Sequence, residues 1–146
     1  MKADQTAMIL ILFILLVLVT CFQHIPLSNK SGVASLQLTT GFDIVNISSI
    51  TLFVNSLQGD AGYPTPSSIL YSEEGKNTNH FELNIKIWQS TSADVEYIGA
   101  AGAKLSFKMS NPSSFTVRNA RFTDVATSGP IRTVQYGSKY LLISDI

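Results

Sequence analysis

Seventeen consecutive residues, Thr6–Phe22, carry no charge and are nearly all Leu, Ile, Val, Phe or Met. As a helix this run rises about 25 Å. That is slightly less than the roughly 30 Å hydrocarbon core of a bilayer, a gap that flanking residues or local thinning closes. The uncharged Gln23, His24, Ile25 and Pro26 extend the reach. A membrane span over residues 7–26 is the expectation, with Ala7, Leu10, Phe13, Leu16, Val19 and Phe22 as anchor residues and residues 1–6 as a short tail.

Three processed alternatives compete with a retained anchor. A cleaved secretory signal needs a positive n-region, a short apolar stretch and a small-x-small cleavage site. Here Lys2 is offset by Asp4, the apolar run is long, and "VTCFQHIP" contains no A-x-A. A lipoprotein signal needs a small residue before its cysteine, and the branched Thr20 precedes Cys21. A pilin-type cut after Lys2-Ala3 would leave Asp4 at the new N-terminus, without the usual acidic residue further in. The expectation is therefore a single-pass signal-anchor, with the C-terminal bulk facing away from the cytosol.

Past this run come residues 27–32, "LSNKSG", a polar linker of the flexible kind. Residues 33–146 then form one domain's worth of chain, enough for a single core but not for two. Charged residues are only 14% of the chain. The lone Cys21 lies inside the apolar run, which excludes a disulfide framework and a cysteine metal site. Charge is unevenly spread. Asp43, Asp60, Glu73, Glu74, Glu82, Asp94 and Glu96 face only Lys76 and Lys86, whereas Lys104, Lys108, Arg118, Arg121, Arg132 and Lys139 face only Asp124 and Asp145. Such asymmetry can steer docking between copies or onto a neighbour; interleaving of strands from the two halves would cancel it.

Beyond the linker the hydrophobic period is two. In "FELNIKIWQ", Phe81, Leu83, Ile85 and Ile87 share one face, and Glu82, Asn84, Lys86 and Trp88 the other. "AKLSFKM" repeats this with Ala103, Leu105, Phe107 and Met109 inward. "ITLFVN" groups Ile50, Leu52 and Val54 and leaves Phe53 on the opposite face. "SLQLT", "FDIVNI", "SILY", "VEYI", "FTVRNARF", "IRTVQY" and "YLLIS" complete the set of short strands, and "QGDAGYPTP", "EEGKNTN", "GAAGA", "SNPSS" and "TSGP" punctuate them. No segment past residue 32 keeps a helical period for three turns. The predicted fold class is all-β: an antiparallel β-sandwich of jelly-roll, immunoglobulin-like or galactose-binding-like topology, preceded by one N-terminal transmembrane helix.

Chemistry is sparse. His24 stands at the membrane edge and His80 opens a strand, neither with the partner spacing that a metal site or triad requires. No serine lies in G-x-S-x-G, and there is no P-loop or G-x-G-x-x-G. The chain reads as a non-enzyme without a cofactor. Asp60, Glu73, Glu74, Asp94 and Glu96 are the acids from which a loop-bridging calcium site could be drawn, without an Asp-rich motif to back it. Phe53, Tyr63, Tyr71 and Trp88 could form an aromatic platform for a sugar ring or a partner protein, although a second sheet packing over Trp88 is the stronger expectation. With Phe53 and Trp88, the cations Lys104, Lys108, Arg118 and Arg121 make up the candidate interaction surface. With Arg132 and Lys139 they are the six basic residues of the C-terminal half, single, spaced and interleaved with apolar rather than stacking groups in a neutral chain, which argues against nucleic acid. Asn29-Lys30-Ser31 and Asn46-Ile47-Ser48 match the glycosylation sequon.

The layout of "MKADQTAMILILFILLVLVTCF" followed by "GFDIVNISSITLFVNS" resembles that of membrane-anchored minor structural proteins of icosahedral viruses with an inner membrane. The second stretch is also similar to the opening strands of discoidin-like galactose-binding sandwiches, without their paired cysteines or ligand loop. The viral resemblance implies a structural protein at the interface of virion membrane and capsid, with the lipid bilayer and other subunits of a large assembly as partners. The alternatives are a pilin-like filament subunit and a membrane-anchored carbohydrate-binding domain at a cell surface, with a glycan as partner.

Overall fold

The computed structural model describes residues 2–23, 38–112 and 119–146, and within the helix the side chains of Gln5 and residues 7–17. Two compact units separate between Ser35 and Leu36. The described residues of the first form the helix α1 (Lys2–Gln23). Its described side chains from Met8 to Val17 are all apolar and all exposed, from 42% at Val17 to 68% at Ile9. No helix among the described residues is long and apolar enough to cross a membrane. The contiguous helical side chains described, residues 7–17, rise about 16 Å, roughly half a hydrocarbon core. The transmembrane helix expected over residues 7–26 is thus not found among the described residues, although the backbone is helical as far as Gln23. Residues 24–26 and the expected linker 27–32 lie outside the described residues.

The second unit is a β-sandwich. One sheet has the order β4 (Thr78–Asn84), β1 (Thr39–Asn46), β9 (Tyr140–Asp145), β8 (Ile131–Tyr136). The other runs β3 (Ile69–Leu70), β2 (Leu52–Gly59), β5 (Thr91–Gly99), β6 (Lys104–Asn111), β7 (Arg121–Ser128). Alternation builds both faces. In β6 the odd positions Leu105, Phe107, Met109 and Asn111 are buried while Lys104 is exposed and Ser106 and Lys108 are half-buried. In β1 Thr40, Phe42, Ile44 and Asn46 turn inward. The two inner faces meet in one cluster whose centre is aromatic. Phe42 and Phe122 stand edge to face at 5.0 Å, Phe122 and Phe107 at 5.2 Å, and Phe107 and Phe81 at 5.9 Å. Such pairs add about 0.5–1.5 kcal/mol each beyond the burial of their area.

Three expectations need correction. The sandwich is not wholly antiparallel, because β1 and β9 pair in parallel with Ile44 opposite Leu141; the first and last described strands therefore lie side by side. The strand expected through residue 89 stops at Asn84, so Ile85 is only half-buried and Ile87 is 64% exposed. The strand expected over residues 115–122 is β7, displaced to Arg121–Ser128, and residues 113–118 lie outside the described residues. The segment "SLQLT" also falls outside them apart from its last two residues.

Candidate functional site

On the outer face of the four-stranded sheet, the antiparallel register of β1 and β4 sets Asp43 opposite His80. Two residues on, Glu82 shares His80's face. His80 Nδ1 lies 2.7 Å from Asp43 Oδ1 and its Nε2 lies 2.8 Å from Glu82 Oε1. Gly41 makes room for the ring, since a Cβ there would stand 2.5 Å from His80 Cε1. The hydrogen bond to Asp43, followed by that to Glu82, holds the imidazole pKa above its ordinary value. Glu82 is lowered by a hydrogen bond from Thr39 and then by His80. With both ring nitrogens committed to carboxylates, the imidazolium is favoured and neither nitrogen is left to take a proton from a substrate. Sequence reasoning left His80 without a carboxylate. The signal was there in part, since His-x-Glu on a strand puts both side chains on one face; Asp43 needed the register.

The outer face of the five-stranded sheet carries most of the expected interaction residues. Phe53 pairs with Ile98, and Ile98 with Lys104. This makes a cross-strand row of two exposed apolar side chains, 48% and 37%, beside a lysine. Further along, the register slips between Val54 and Ser56 on β2 and between Ser106 and Lys108 on β6, where β7 bulges. Asp124 sits in that second bulge with a φ of 53°, the left-handed conformation that Asp tolerates better than most residues. Between the two irregularities is a shallow depression of about 280 Å³, lined by Ser56, Asp94, Glu96, Ser106 and Asp124 over Val95 and Phe107. Asn55 donates to Glu96, and Lys108 approaches Asp94 at 3.5 Å. The acids of β5 therefore stand beside the lysines of β6, so the halves that differ in charge along the chain interleave here. Among the described residues no group of three or more His, Cys, Asp and Glu is placed to hold a metal ion. Arg121 begins β7 on the exposed side; Arg118 lies outside the described residues.

Trp88 is not on this face. It occupies the connection between β4 and β5, 70% exposed, so the second sheet expected to cover it does not. A turn hydrogen bond from Gln89 N–H to the Lys86 carbonyl (3.3 Å) places Ile87 and Trp88 at its two corners. Trp88 there has a φ of 65°. Phe53 pairs near the Gly99 end of β5, and Trp88 precedes the Thr91 end. Seven strand residues, about 23 Å, separate the two levels, so these two aromatics do not form one platform.

The sequon at Asn46 has a structural occupation. Asn46 is fully buried, and its amide nitrogen donates to the carbonyls of Ile50, Leu70 and Tyr71. Its oxygen accepts from Ser48 N–H and Oγ. The amide is thus closed to modification in the folded domain. The other sequon, at Asn29, lies outside the described residues.

Comparison of the chain with protein-family models, with curated proteins and with solved structures gave no match.

Proposed function

We propose that this chain is a non-enzymatic assembly protein: the helix anchors it in a bilayer, and the sandwich docks onto neighbouring subunits, tethering a membrane to a protein shell as a minor capsid protein of a virion does. The observation that carries this reading is α1. Ten consecutive apolar side chains, Met8–Val17, are exposed on every side of the helix. A helix apolar all round has no face to give to water, and each large side chain left hydrated forgoes about 1.5–3 kcal/mol. Some apolar surrounding has to cover it. Lipid is the better match than other helices, because residues 8–17 hold no Gly, Ala, Ser or Thr through which helices approach closely. The uncharged run continues to Phe22.

The shell-facing part is assigned to the outer face of the five-stranded sheet, where the Phe53–Ile98–Lys104 row and the flanking charges offer a mixed polar and apolar surface of the kind that protein interfaces use. Density-gradient sedimentation of the native source, without and then with detergent, tests the whole reading. The chain is expected to travel with a lipid-bearing particle, to keep its Met1 peptide by mass spectrometry, and to stay bound to protein once lipid is stripped. Release as single chains by detergent would remove the tether. Migration as detergent-resistant fibres would replace it with the filament reading.

A further inference from the structure

We propose that N-glycosylation of Asn46 and folding of the sandwich exclude each other, so that in a cell which N-glycosylates its exported chains the domain works on the cytosolic side of its membrane. The choice of side rests on the anchoring proposed above; the exclusion does not. N-glycosylation bonds an Asn Nδ2 to the anomeric carbon of a lipid- or nucleotide-linked sugar. The phosphate leaving group departs with the electron pair of the broken bond, and Nδ2 gives up one proton. Asn46 has no room for that product, being 0% exposed, with Ser48 at 2%. Its two amide hydrogens are shared among the carbonyls of Ile50 at 2.8 Å and of Leu70 and Tyr71 at 3.3 Å each. Its oxygen accepts from Ser48 N–H at 3.0 Å and from Ser48 Oγ at 2.6 Å. A sugar on Nδ2 would take one of those two hydrogens, leave buried carbonyls without a donor and force a bulky polar group into a fully buried position.

Folding does not hide the site in time. Asn46 lies opposite Ile143 in the parallel pairing of β1 with β9, and Ile47 N–H donates to the Ile143 carbonyl at 2.8 Å. That pairing waits for a residue 97 positions further along, which at synthesis rates of about 5–20 residues per second takes about 5–20 s. Folds dominated by such non-local pairings are also slow once the chain is complete. A chain threading into a glycosylating lumen therefore shows Asn46-Ile47-Ser48 to the enzyme before β9 exists, and only synthesis on the cytosolic side leaves the amide for its three carbonyls. The N-terminal charges suggest the opposite side by a narrow margin, Lys2 against Asp4 with Lys30 beyond the apolar run. A shell that closes around a membrane in the cytosol meets the cytosolic face, which agrees with the tether.

Full-length chain carrying Asn29→Gln, which leaves Asn46 as the only sequon, supplies the test. Made in a cell-free reaction in nonionic detergent, with a soluble N-glucosyltransferase and UDP-glucose present from the start, it should gain one hexose by intact mass and lose its trypsin-resistant sandwich. With the enzyme added after synthesis it should gain none and keep the resistant core. A Phe107→Asp chain, unable to pack its core, should be modified in both reactions and shows that the enzyme accepts the sequon. A hexosylated chain that still resists trypsin, or one that escapes modification during synthesis, overturns the exclusion and the choice of side with it. Translated with endoplasmic-reticulum microsomes, the Asn29→Gln chain should resist carbonate extraction and show no mobility shift with endoglycosidase H. An endoglycosidase-sensitive glycan would put the sandwich in the lumen and overturn the choice of side. Extraction by carbonate would remove the anchor, and the side with it, while the exclusion is decided by the cell-free reactions alone.

Discussion

His80 bridges two carboxylates on a surface that water reaches, which makes its charge state a measurable part of the domain's stability. Its folded pKa is raised above the ordinary 6.5, so what it contributes is fully present below about 6.5 and is lost as pH rises through the higher folded value. Glu82 is lowered from 4.5, so its part is present above about 4.5 and is lost as pH falls through the lower folded value. Stability should therefore be greatest between these two limits. The His80 side chain is 39% exposed and those of Asp43 and Glu82 are 48% and 51% exposed. Water screens the pairs accordingly, and the effect should stay under about 1 kcal/mol. Urea denaturation below 6.5 and well above it should show the native domain losing stability with rising pH and His80→Gln losing much less. Gly41→Ala, which drives a Cβ into the His80 ring, should flatten the profile as well. An unchanged slope in both variants would mean that the contacts do not persist in solution. At this scale the sequence was half legible. His80 and Glu82 are visible as neighbours on one face, but Asp43 is 37 residues away. Asn46 misled in the opposite sense: its sequon is real as a pattern, yet its amide is consumed by three carbonyls, of Ile50, Leu70 and Tyr71, that only the folded domain brings together.

At the scale of the element, period-two alternation told the truth wherever a strand ran straight. Ala103, Leu105, Phe107 and Met109 are at most 2% exposed, as their spacing requires. It failed where strands bulge or stop. In β7 both Phe122 and Val125 face the core although two residues rather than one stand between them, because Asp124 takes up the extra residue in a left-handed conformation. Val54 and Leu57 on β2 do the same across the slip before Ser56. The alternation of Ile85, Lys86 and Ile87 runs on past the true end of β4, since a turn closed by one hydrogen bond leaves the hydrophobic pattern unbroken. The inner and outer faces should answer differently to truncation. Phe107→Ala empties a position ringed by Phe81, Tyr97 and Phe122 and should cost about 3–5 kcal/mol. Phe53→Ala, on the outer face, should cost under about 1 kcal/mol while weakening assembly. Chemical denaturation of both variants beside a co-sedimentation assay checks this; comparable losses of stability would place Phe53 in the core and withdraw it from the interface.

For the whole molecule, the division between Ser35 and Leu36 makes a simple prediction. Among the described residues, the eighteen members of the buried hydrophobic cluster lie between Phe42 and Ile143, so deleting Met1–Phe22 should leave the sandwich's melting temperature within a few degrees of the full chain's. The deleted form should be recovered without detergent and should fail to join its particle. A deleted chain that does not fold, or one that still assembles, would refute the separation of anchor from docking domain. The division into two parts and the all-β character of the larger part were determined by the sequence itself, because an uncharged apolar run and a period of two are local properties that a chain carries with it wherever it folds. Which strands became neighbours was decided only by the tertiary structure. The parallel closure of β1 on β9, the mixing of acidic β5 with basic β6, and the carboxylate pair around His80 all follow from register, and register is chosen when two inner faces compete to bury the same five aromatic rings between them.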